Sequence, residues 1–80
     1  MKRDLAKRIA TDPKVMLGKP VVRATRIAVE LILEKVAADI QIEEILPDYP
    51  QLTRTDVRAA VAYAREALAT DEMIRAAIRA

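Results

Sequence analysis

The sequence predicts a mainly α fold in which a short extended N-terminal arm or hairpin leads into a helix-turn-helix-like core of three to four helices. Three observations point to it. Apolar spacing alternates over Val22–Ile27 and becomes helical from Val29 onward. The lone glycine among 80 residues, Gly18, stands two positions before Pro20, so a turn falls ahead of that change. Aliphatic side chains and alanine carry the apolar content, with no Phe and no Trp, which suits short helices packed closely. The chain reads as one domain, with 1–28 a basic arm containing short strands and 29–80 a helical bundle.

Leu5 and Ile9, four apart, admit either a short helix or a frayed end in the first residues. Thr11-Asp12-Pro13 is a turn, because a residue before proline is held out of the α region. The apolar run Lys14–Leu17 can pair with Val21–Val22, or Ile9 can pair near Arg26–Ile27; local sequence leaves both open. A first helix is predicted over Val29–Ala38, with Val29, Ile32, Leu33, Val36 and Ile40 as one buried stripe and Glu30 near the positive end of the dipole. A second, Ile42–Leu46, starts at the poor cap Gln41 and is stopped by Pro47-Asp48-Tyr49-Pro50. Thr53 with Asp56 three residues on is a capping-box start for a third helix, Arg54–Leu68. Its predicted buried stripe is Val57, Ala60, Val61, Ala64 and Leu68, with Arg54, Arg58 and Arg65 outside and Tyr63 half-buried, hydroxyl outward. A last helix is predicted over Glu72–Arg79, with Met73, Ile74, Ala77 and Ile78 apolar.

The net charge of +2 hides an uneven distribution. Residues 1–26 carry eight cations and two acids, whereas 27–52 carry one cation and six acids. The basic third can meet phosphate or an acidic protein surface; the plain alternative is a solvated, mixed-charge surface. Cys and His are absent, which excludes disulfides and any Cys or His nucleophile or base. Met1-Lys2-Arg3-Asp4 leads into no apolar run of the signal-peptide kind, and no stretch is long enough to span a bilayer, so a cytoplasmic protein without membrane partners is expected. A core this small often borrows from a second copy, hence a predicted homodimer.

Enzymatic chemistry has little to work with. Glu30 and Glu34 share a helix face, but nothing supplies further ligands, so they read as a wet face rather than a metal pair. Gly18-Lys19 lacks the upstream glycine of a phosphate loop and has Pro20 where that loop needs Ser or Thr. No catalytic residue, metal or cofactor is therefore expected. Nucleic acid is the alternative. The second and third predicted helices can be drawn as a helix-turn-helix, with Arg54 and Arg58 one turn apart where base edges would be met. Lys2 and Arg3 are candidate phosphate contacts, while Glu43 and Glu44 would be repelled by the duplex.

Thr11-Asp12-Pro13, then Gly18-Lys19-Pro20-Val21-Val22-Arg23-Ala24-Thr25-Arg26-Ile27-Ala28-Val29, resembles a bacterial family catalogued as domain of unknown function 433. Glu43-Glu44-Ile45-Leu46-Pro47-Asp48-Tyr49-Pro50-Gln51-Leu52-Thr53 followed by Asp56-Val57 is similar to it as well, and the likeness covers about residues 8–68. The resemblance implies a homeodomain-like helical fold preceded by a small extended segment. Members are often encoded beside a PIN-like nuclease, which implies a type II antitoxin that binds and neutralises that toxin and has operator DNA as a second partner. Gly18, Lys19, Pro20, Arg23, Thr25 and Arg26 carry over only as the motif core. Gly18 and Pro20 make the turn, and Thr25 is expected to hydrogen-bond backbone before the helix. Lys19, Arg23 and Arg26 are the candidate partner-binding residues, with Lys2, Arg3, Arg54 and Arg58 for DNA. The chain departs from the family pattern at Leu17, Ala24 and Asp39, where glycine is usual, and at Gln41, where Ser or Thr is usual. Ala24 is expected to stiffen the arm or to force a negative φ there. The rival functions are a helix-turn-helix regulator without a toxin and a non-enzymatic interaction module.

Overall fold

A computed structural model describes residues 3–69. Lys2, the side chain of Arg3 and the helix predicted at Glu72–Arg79 lie outside the described residues. The order is α1 (Arg3–Ala6), β1 (Ile9–Ala10), β2 (Val21–Val22), α2 (Val29–Ala37), α3 (Ile42–Asp48) and α4 (Arg54–Ala69). The protein is thus mainly helical, with a short two-stranded hairpin at its N-terminal side.

The hairpin takes neither of the two pairings open from sequence. Ile9 lies opposite Val22 and Ala10 opposite Val21, antiparallel. The other side of β2 is held by the chain leading into α2: the Val22 amide donates to the Ile27 carbonyl at 2.9 Å, and the Val29 amide to the Pro20 carbonyl at 2.9 Å. This register puts Ile9 and Val22 into the core together, and a one-residue slip would turn them out. The run Lys14–Leu17 is unavailable as a strand because Met16, Leu17 and Gly18 take successive left-handed conformations (φ 51°, 58° and 83°). The Asp12 turn forms as expected, its carboxylate accepting from the Lys14 amide at 2.9 Å.

The helices follow their predicted positions with two corrections. First, α3 does not stop before Pro47 but runs through it to Asp48. A proline in the last turn removes only one helical bond, and the Tyr49 amide still closes that turn on the Leu46 carbonyl. Second, Val36, Val61 and Leu68 are not core: they are 42%, 43% and 55% exposed. The buried side of α4 runs through Asp56, Val57, Ala59 and Ala60, with Ala59 fully enclosed. Periodicity gives the width of an apolar stripe, but the neighbours available decide which flank is covered. Small alanines let α4 lie close to its neighbours on that flank. The N-terminal segment packs into the body. Ile9, Val22 and Ile27 share one core with Val29, Ile32, Ile45, Leu52, Val57, Ala59 and Ala60.

Candidate functional site

The surface that the motif Gly18–Val29 presents is built by backbone geometry. The Thr25 amide donates to the Val22 carbonyl at 3.0 Å, closing a four-residue turn. Thr25 Oγ1 donates to the same carbonyl at 2.7 Å and accepts from the Ile27 amide at 3.0 Å. The expected backbone role of Thr25 is therefore met twice. Ala24, at the third position, has φ 64°, so the expectation of a negative φ is overturned: the turn needs a left-handed residue there and imposes it on alanine. The same holds at Leu17 and at Asp39 (φ 62°), the other two positions where the resemblance leads one to expect glycine. At Asp39 the chain closes α2 with a left-handed cap, the Asp39 amide on the Val36 carbonyl and the Ile40 amide on the Lys35 carbonyl.

This frame fixes Arg23 and Arg26 on one turn, both exposed. Arg23 Nε donates to the Lys7 carbonyl at 2.5 Å, and the Arg23 amide to the Arg8 carbonyl at 2.7 Å, so the N-terminal cations lie beside it. Neither guanidinium meets a carboxylate among the described residues. Lys19 sits at the other end of β2, its Nζ 2.6 Å from Glu30 Oε1 in an exposed ion pair. The three candidate partner-binding residues therefore separate into an arginine pair at one end of the strand and a neutralised lysine at the other.

Arg54 and Arg58 open α4 as expected, but their circumstances differ. Arg54 is 2.8 Å from Glu43 Oε1 on α3. That hydrogen bond holds the Glu43 carboxyl below its ordinary pKa. Arg58 is exposed on the wall of a groove between α4 and the end of α2. α3, the Tyr49–Thr53 connection and α4 thus give Arg54 an acid partner before any ligand arrives.

Two features were not legible beforehand. Arg8 reaches Asp56 at 3.0 Å, tying the hairpin to the start of α4. Asp56 is buried, and its other oxygen accepts from the Thr53 amide at 2.9 Å while Thr53 Oγ1 accepts from the Asp56 amide at 3.1 Å. The capping box was readable; its second partner, 48 residues away, was not. The other feature is Leu17, 94% exposed at the tip of the left-handed turn. Its departure from the usual glycine was the available signal.

Fold and surface together define a small, mainly helical protein whose hairpin and turns carry an exposed arginine pair; no helix among the described residues is long and apolar enough to cross a membrane. The model of the family described as "Protein of unknown function (DUF433)" matches residues 9–64, and the chain belongs to that family. It is similar to the crystal structure of a DUF433 member protein from Anabaena variabilis ATCC 29413, with 29% identity and a TM-score of 0.72, covering 98% of this chain and 74% of that one. No curated protein matches the chain.

Proposed function

We propose that this protein is the antitoxin of a type II pair, acting in the cytoplasm by binding and neutralising a PIN-like nuclease, with operator DNA as a second partner. The observation that carries the reading is the Arg23–Arg26 pair: two exposed arginines in and just after a turn pinned by backbone bonds, neither meeting a carboxylate among the described residues. Such a pair is preorganised for an acidic surface, and a nuclease cleft that holds metal-binding carboxylates is one. Leu17 adds an apolar knob on the turn before β2. The chain contributes no chemical step under this reading; it occupies the partner's site. Association of two copies belongs to the same reading, and light scattering at micromolar concentration tests it.

A homeodomain-like arrangement of α3 and α4 on an operator is the weaker half, because Arg54 is engaged by Glu43 and acids line α3. Co-expression with a PIN-like nuclease encoded beside the gene is the decisive experiment. Rescue of growth by the wild type and its loss in the Arg23→Ala, Arg26→Ala double variant is the expected result. Full rescue by a correctly folded double variant discards the arginine pair. For DNA, a mobility shift with the upstream promoter at two salt concentrations should show binding that weakens with salt, and none at low salt ends the operator reading.

A further inference from the structure

On α4, Arg58, Val61, Arg65 and Leu68 stand at i, i+3, i+7 and i+10, and all four are exposed. Val61 and Arg58 form one wall of a groove of about 560 Å³, within the roughly 300–1,000 Å³ common for binding clefts. Its floor and far wall are Leu5, Val36, Ile40, Ile42 and Val57. The lining includes Arg58 and Arg65 with Asp39 as its one acid, and Glu66 stands beside Arg65 on α4. Neither arginine meets a carboxylate within salt-bridge distance among the described residues. Burying Val36 and Val61 would recover apolar area that the fold leaves in water.

We infer that this groove docks an amphipathic helical segment of a partner protein, with aliphatic residues along one stripe and carboxylates flanking it. The charge arrangement selects this occupant. A second copy meeting it face to face would bring Arg58 and Arg65 from both sides and set only Asp39 and Glu66 of each copy against them, with no row of carboxylates flanking an apolar stripe. Duplex DNA would leave the aliphatic floor uncovered. An acidic amphipathic helix satisfies both halves: side chains at i, i+4 and i+7 fill the floor, and glutamates beside them face Arg58 and Arg65. The surface involves neither Arg23 nor Arg26, so the inference stands or falls apart from the antitoxin reading.

The test uses the full chain and three fluorescein-labelled 18-residue probe peptides: a leucine-striped helix flanked by glutamates, the same helix flanked by lysines, and a scrambled glutamate control. Fluorescence anisotropy should show saturable binding of the glutamate helix alone, weakening with added salt. Val61→Asp should reduce that affinity by about tenfold or more. Arg58→Glu with Arg65→Glu, wholly on the surface, should reverse the preference to the lysine helix. Any of these results would overturn the inference: no binding of the glutamate helix; equal binding of both helices; displacement by a double-stranded oligonucleotide; or wild-type self-association in sedimentation that Val61→Asp abolishes. Binding that appears only after Ile74→Asp with Ile78→Asp would assign the groove to residues 70–80 of this chain and overturn it too.

Discussion

The hairpin region, residues 3–28, and the helical body, residues 29–69, reach order by different routes. In the body, local sequence and tertiary packing agree on where the helices start, at Val29, Ile42 and Arg54, and Ile32 and Ile45 are almost wholly enclosed. In the hairpin region local preference is overruled. Its two strands have two residues each, and Met16, Leu17 and Ala24 adopt left-handed conformations that non-glycine residues avoid. Longer-range bonds hold it: the Val29 amide to the Pro20 carbonyl, the Arg23 amide to the Arg8 carbonyl, and the Arg8 guanidinium to the Asp56 carboxylate. Left-handed backbone therefore flanks β2 on both sides, with Lys19 exposed at one end and Arg23 and Arg26 at the other, while the body supplies the stability that tolerates it.

The largest test of this contrast is Ile32→Ala. Emptying the centre of the body should lower unfolding free energy by about 2–5 kcal/mol in chemical denaturation, much of what a chain this size has. A loss below 1 kcal/mol would mean that the body is not the anchor. Asp56→Ala comes next, with an expected loss of about 1–3 kcal/mol, because it removes a helix cap and strands Arg8 together. The discriminating measurement is a double-mutant cycle with Arg8→Ala. A coupling near zero would show that the hairpin does not lean on that pair, which is half-exposed on the Arg8 side.

A change of sign sharpens the contrast further. Ala24→Gly should raise the melting temperature, gaining about 0.5–1 kcal/mol, because φ is positive there. Ala62→Gly, within α4, should lose about as much. Equal signs at the two positions would refute the claim that the turn, rather than the residue, imposes its conformation.

The smallest effect is electrostatic. The Glu43 carboxyl is held below its ordinary pKa because Arg54 hydrogen-bonds its charged form. A depressed folded-state pKa means the pair stabilises above the unfolded value and that contribution fades as pH falls through the lowered one. Glutamate side-chain NMR should show Glu43 titrating late on acidification, and Arg54→Ala should move it back up. An unmoved Glu43 would release Arg54 as a free cation.

Legibility follows the same division. The starts of α2, α3 and α4 could be read residue by residue, since caps and periodicity act within a few residues. The arginine pair could be read as well, because cations on a turn motif stand out against an aliphatic chain. The strand register could not, since Ile9 and Val22 meet in a core completed by residues distant in sequence, Val57 and Ala60 among them. The exposure of Val36, Val61 and Leu68 could not, since a stripe says which side chains are apolar and not how many neighbours exist.

Sequence alone determined an aliphatic, mainly helical chain, its helix starts, the Gly18 and Asp12 turns, and the exposed cations of the motif, all set by interactions a few residues long. Tertiary structure alone decided the pairing of Ile9 with Val22, the latch from Arg8 to Asp56 and the pairing of Arg54 with Glu43. Each of these depends on groups brought together by burial of a shared core, and no local preference encodes that.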